Sequence, residues 1–426
     1  MLPSAKNVFQ LLAGCAAMAI FVFLFEGASF CADDRGSYEN SQVLEAGKIL
    51  PPEVLSGPHH KVDGKVQNDG FLNHYVLESS YENYAVVSTF ELKKRVHEIK
   101  AITEMKKIDT TSTVGKSIVD SGEKTATGIV NLFSHPVDTM KGTVEGIGSV
   151  VDRAEEATSS TPSRTEDSRM EELIGFSKSK RDIANKMGVD VYSTNKTLQS
   201  ELDRLAWADY SGGIAVSAGL SFVPGGAGVL LSVSGGARLL NEAINLTPPV
   251  ELRSQNRQKL TKMGMNSDTI DLFINNTVFS PRNQTWLVAA LEKMPHASNR
   301  ELFLKVALQA HDRTMALIIT QMTIMFAGYD TQIEPIDRFY PISRVLYAKD
   351  KKERILIALP ADRILWSERF AGAVAEIKRK TKGNRFELWT AGDVGKKTEE
   401  HLSKAGWVIH TDVWSKLQEI MEPRTQ

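Results

Sequence analysis

The last ninety residues of the chain alternate strand-like and helix-like segments, and this alternation restricts the fold more than any other feature. Arg344–Ala348 and Arg354–Leu359 are short aliphatic runs on either side of a charged turn. A helix is expected at Glu368–Lys380, a strand at Phe386–Thr390, a helix near Lys396–Ala405 and a strand at Trp407–His410. Parallel neighbours need crossover connections, and a helix between two strands supplies one. Residues 336–426 are therefore predicted to form a small α/β module of three to five largely parallel strands.

Open parallel sheets bind ligands outside the carboxyl ends of their strands. Here those ends read Pro360-Ala361-Asp362, Ala391-Gly392-Asp393 and His410-Thr411-Asp412. Asp362, Asp393 and Asp412 are the candidate metal ligands, because hard divalent cations take carboxylate oxygens, with His410 as a further ligand or general base. Each aspartate also stands just before a predicted helix, where a carboxylate caps exposed N–H groups, and capping is the favoured reading.

Other motifs are weaker. Gly392 and Gly395 alone make a poor anion loop, and Gly115-Lys116-Ser117 lacks the glycine and the preceding strand of a phosphate loop. No Gly-x-Ser-x-Gly elbow occurs, and His59, His60 and His74 lack the spacing of a metal cage. No cofactor is expected beyond that candidate cation.

Upstream the pattern is helical. Ser88 and Glu91 have capping-box spacing, followed by Leu92, Val96, Ile99, Ile102 and Met105 at helical intervals. Helices are also expected over Glu171–Asp209, breaking near Gly188, and through Val250–Gly328, where Ser298 and Glu301 open a long apolar helix. His311, Asp312 and Arg313 on that helix read as structural. Two short strands, Phe71–Leu77 and Tyr84–Val87, are expected as a hairpin before the first helix.

The predicted class is thus α+β and predominantly α-helical, an α-rich body carrying the small α/β module. Its segments are a leader or anchor (1–32), a flexible tether (33–58), a hairpin with amphipathic helices (59–157), a linker (158–170), a helical domain (171–335) and the module (336–426).

The N-terminus points to export. Lys6 precedes an uncharged run from Leu11 to Phe25, and Asp33 and Asp34 follow it. Cleavage after Ser29 leaves a periplasmic or extracellular product, whereas an uncleaved segment 8–25 would anchor the chain in the membrane. Both cysteines, Cys15 and Cys31, lie in or beside the leader, which removes thiol catalysis, Cys-ligated zinc and an internal disulfide from the mature body. A formal net charge of −1 argues against nucleic-acid binding. Tyr210–Ala237 holds eight glycines and no charge, so it suits a buried helix pair or, failing that, a hairpin inserted in lipid. The reading these features support is an exported envelope protein that binds a membrane surface, an envelope partner or a small ligand without catalysis. A metal-assisted hydrolase and a membrane-active effector stand beside it as alternatives.

Overall fold

The computed structural model describes residues 38–108, 164–211, 235–342, 345–381 and 385–416. The leader, residues 109–163 and the centre of the glycine-rich segment lie outside the described residues, and with them the expectations placed there. Two compact units emerge, one formed by Met1–Lys100 with Gly225–Gln426, the other by Ala101–Pro224.

The first unit opens with an antiparallel sheet built from β1 (Gln42–Glu45), β2 (Ser56–Gly57), β3 (His60–Val62), β4 (Lys65–Asn68), β5 (Asn73–Ser79) and β6 (Tyr84–Val87). The order is β1-β4-β5-β3-β2, with β6 also paired to β5. Two short helical turns, α1 (Ala46–Ile49) and α2 (Pro52–Leu55), connect β1 to β2. One face buries Val62, Val66, Tyr75, Leu77, Tyr84 and Val86 against Leu92, Val96 and Ile99 of α3 (Thr89–Lys106), whose apolar stripe follows the expected spacing. Each such side chain removed from water contributes roughly 1.5–3 kcal/mol.

In the second unit, α4 (Arg164–Met187) and α5 (Lys196–Tyr210) pack together, with Asn195 capping α5 through the Leu198 N–H. The first unit then resumes with α6 (Gly235–Leu246), α7 (Pro249–Lys262), α8 (Ser267–Ile274) and α9 (Pro281–Glu292), followed by α10 (Leu302–Ala307) and α11 (Arg313–Gln332). The long helix expected from Ser298 is divided between these last two. Asp312 is extended and accepts from the Met315 N–H at 2.8 Å, so a new helix begins there. Replacing this cap, Asp312→Ala, is expected to cost about 1 kcal/mol in urea denaturation, the usual loss for a helix N-cap. Met315 to Asp330 is buried almost throughout, which fits a helix hydrophobic on all sides.

The C-terminal sheet contains β7 (Ile336–Ile342), β8 (Val345–Asp350), β9 (Ile355–Leu359), β11 (Phe386–Thr390) and β13 (Trp407–His410), in the order β13-β11-β9-β8-β7. Strands β9, β11 and β13 run parallel, while β7, β8 and β9 form an antiparallel meander. Beyond the parallel strands lie two short pieces, β10 (Arg363–Ile364) and β12 (Asp393–Val394), which pair with each other, and the crossovers use α12 (Glu368–Lys380) and α13 (Lys396–Lys404). The chain continues into α14 (Val413–Lys416). Phe339 of β7 packs edge-on against Phe303 and Phe326, and Trp389 against Tyr329, so α10 and α11 cover one face. Helix α12 packs against β7 and α13 against β13.

These sheets correct the predicted class. The fold is mixed, with an antiparallel N-terminal sheet and a mixed C-terminal one, and not a predominantly helical body with largely parallel strands. Short strands with polar residues turned inward explain the difference: His60 and Asn68 are 5% and 0% exposed, so β3 and β4 lack a clean apolar alternation. Edge strand β7 carries Pro341 and a register irregularity between Ile336 and Arg338, both of which obscure a strand in sequence.

Candidate binding cleft

A cleft of about 510 Å³ opens at the carboxyl ends of the parallel strands. That lies within the roughly 300–1,000 Å³ typical of small-molecule sites. Pro360, Ala391 and Thr411 mark the three strand ends, and the opposite wall comes from β1, α1, the start of α3 and Gln321 of α11. Asp362, Asp393 and Asp412 all line it.

The three carboxylates do different work. Asp362 follows β9 and turns toward the N-terminal sheet, where it accepts from the Asn73 N–H at 2.9 Å and from the Thr89 N–H at 3.0 and 3.1 Å. Thr89 opens α3, so Asp362 caps a helix distant in sequence, while Ser88 Oγ accepts from the Glu91 N–H of the same first turn. Burial pushes the Asp362 carboxyl up to about 6, against these N–H donors, which favour the charged form. Tyr75, next to Thr89, has its hydroxyl pushed up by burial.

Asp393 instead pairs with Arg363 Nη1 at 2.8 Å. The reason lies in the register. Leu359 faces Thr390 between β9 and β11, yet Arg363 faces Asp393 between β10 and β12, so the segment from β11 to β12 is one residue shorter than that from β9 to β10. A one-residue slip reverses the side to which a strand residue points. The two aspartates look equivalent in sequence but are not equivalent in the sheet. Asp412 stands exposed at the rim, in the left-handed region at φ 49°. Among the described residues no group of three or more His, Cys, Asp or Glu side chains is placed to hold a metal ion. Asp362 caps the first turn of α3 and Asp393 is an ion-pair partner, so the bonds described for these two are not to the helices that follow them in sequence.

The glycines at the strand ends serve close backbone approach. A Cβ on Gly392 would stand 2.7 Å from the Asp362 carbonyl carbon and closer still to its oxygen, and one on Gly395 would meet the Glu39 carboxylate at 2.7 Å. Because the first obstacle is backbone, Gly392→Ala is expected to lower stability by about 2–3 kcal/mol, the upper part of the roughly 1–3 kcal/mol range for overpacking. Thermal unfolding of the variant checks this.

Two further features mark the cleft. Ser88 is held at φ 80°, so two of its lining residues, Ser88 and Asp412, are non-glycine residues with positive φ. Backbone strain of this kind, about 1–3 kcal/mol per residue, concentrates at functional sites. Gln321 is 5% exposed, and its Nε2 meets no acceptor, whereas Thr320 and Thr323 beside it bond back to their own helix. Arg363 Nε is likewise buried without an acceptor. Sequence reading missed Gln321; a carboxamide inside an otherwise apolar helical run was the available signal.

Away from the cleft, a buried polar chain crosses the face of the sheet covered by α11. Tyr329 donates to Asp350 at 2.7 Å, and Arg354 joins Asp350 at 2.6 Å to Glu387 at 3.2 Å. Glu387 also accepts from Trp389 Nε1 at 3.1 Å and faces His410 Nε2 at 3.5 Å, close but short of a well-formed hydrogen bond. His410 thus belongs to this chain. Among the described residues no helix is long and apolar enough to cross a membrane.

Comparison with protein-family models, curated proteins and solved structures found no match.

Proposed function

We propose that this chain is a non-catalytic binding protein of the cell envelope whose C-terminal sheet presents a small-molecule site. The observation that carries the binding role is the cleft of about 510 Å³ at the carboxyl ends of the parallel strands, with two strained backbone positions, Ser88 and Asp412, in its lining. A cavity of that size at the carboxyl ends of parallel strands is where open α/β sheets take small molecules. Catalysis has less support: Asp362 and Asp393, the carboxylates best placed to act on a ligand, are engaged by Asn73, Thr89 and Arg363. Export rests on the charge asymmetry about the apolar run at residues 11–25.

The test is a thermal-shift screen of chemically diverse small molecules against the full chain and against Thr411→Trp, which fills the cleft mouth. A ligand present at a hundred times its Kd stabilises by about 2.7 kcal/mol, a Tm rise of roughly 3–4 °C for a chain of this size. The rise is expected in the wild type and absent in the variant. Shifts that are identical in both proteins would remove the cleft from the account. Fractionation of cells expressing the native N-terminus tests export separately.

A further inference from the structure

We propose that the end of the C-terminal sheet opposite the cleft is a basic docking surface for the headgroups of an anionic lipid bilayer. The choice of a lipid surface rests on the envelope reading, and the surface itself on a cluster of side chains outside the cleft. Helices α12 and α13 finish side by side there. Lys378 Nζ, in the last turn of α12, donates to the carbonyl of Ala405, the residue after α13, at 2.9 Å. Arg379 and Lys380 complete that last turn, Lys404 ends α13, and Arg385 stands just before β11 at the same end of the sheet. All five basic residues are exposed, and of them only Lys380 has a carboxylate, that of Glu376 at 2.8 Å.

The neighbouring rim sets this cluster apart. Around the turn from β8 to β9, at the same end of the sheet, Lys349, Lys351 and Lys352 are each joined to a carboxylate, those of Glu353, Asp337 and Glu334. Basic residues in the last turn of a helix also meet its dipole, which gives Lys378, Arg379 and Lys404 a local reason to be there. Arg385 lies beyond both helices and has no such reason. The chain as a whole carries a formal charge of −1, so the attraction for an anionic surface is confined to this end. Each basic residue held near an anionic bilayer strengthens binding about fivefold. The parallel strands β9 and β11 are five residues long and separate the cluster from the cleft by about 17 Å, so docking here turns the cleft away from the bilayer.

Flotation of the full chain with vesicles of phosphatidylcholine mixed with phosphatidylglycerol, and with vesicles of phosphatidylcholine alone, tests this. Binding is expected to be roughly tenfold or more tighter on the anionic vesicles, and the preference is expected to vanish at about 1 M salt, where charges are screened within about 3 Å. The triple variant Arg379→Gln, Arg385→Gln, Lys404→Gln removes three exposed charges that have no ion-pair partner among the described residues. Its Tm is expected to match the wild type, while its affinity for anionic vesicles falls roughly tenfold or more. Equal binding to both kinds of vesicle, or binding that the variant keeps in full, overturns the proposal and assigns the contact to the apolar run at residues 11–25. A short DNA duplex bound as tightly as the anionic vesicles, and lost in the same variant, overturns the lipid assignment in favour of a general polyanion surface. None of these results bears on the cleft, which Thr411→Trp tests separately.

Discussion

Asp362→Ala is expected to lower the unfolding free energy by about 4 kcal/mol, because it strands the Asn73 and Thr89 amides, each costing roughly 1–3 kcal/mol when buried without a partner. Urea denaturation followed by circular dichroism measures the loss. Asp362→Asn is the informative companion. Oδ2 alone accepts from both Asn73 and Thr89, so a carboxamide oxygen in its place keeps both bonds, and the cost is expected to be about 1 kcal/mol. The two variants also separate hydrogen bonding from charge. The folded-state value of about 6 lies above the reference 3.8, so folding favours the protonated acid. Stability from this group is full below about pH 4 and declines as pH rises through 6. Asp362→Asn should flatten that decline; an unchanged slope would mean the carboxylate is better solvated than its surroundings imply.

Glu387→Ala is expected to cost about 3–5 kcal/mol, the loss when one member of a buried ion pair is removed. Arg354 would keep Asp350, but Trp389 Nε1 would lose its acceptor. The pH dependence runs opposite to that of Asp362. The His410 contact foremost, with the Trp389 N–H and the Arg354 charge, holds the Glu387 carboxyl down to about 2 against burial. Its contribution is present above the reference 4.5 and is lost as pH falls toward 2. Together the two groups shape a stability profile that rises from pH 2 to about 4.5 and falls beyond it. Glu387→Gln should remove the acid limb, and Asp362→Asn the other.

Both residues illustrate what a sequence discloses. The helix at Glu368–Lys380 and the strands at Phe386–Thr390 and Trp407–His410 lie where pattern alone places them, because apolar periodicity and a serine cap at Ser367 act locally. The aspartates at the strand ends are equally legible as a row. Their roles are not, because one residue of register divides Asp362 from Asp393 and because the partners Asn73 and Thr89 belong to another sheet and helix. Beyond the hairpin of β5 and β6, the antiparallel sheet escaped for a related reason. Its inward positions include His60, which bonds to the Val54 carbonyl, and Asn68, which bonds to Asn73, so polar side chains occupy places where pattern reading looks for apolar ones.

The junction between the two sheets also sets the order of events at the ribosome. Asn73 waits for Asp362 across 289 residues, and the Glu39 carboxylate waits for the Trp366 amide across 327. At about 5–20 residues per second, that interval lasts roughly 15–60 s of synthesis. During that time α3 lacks its cap, and the N-terminal sheet lacks the loop that bonds to Gly70 and Phe71. Such a chain secures its first sheet only after residues 362–366 have been made, and truncation before them is expected to leave that sheet poorly held.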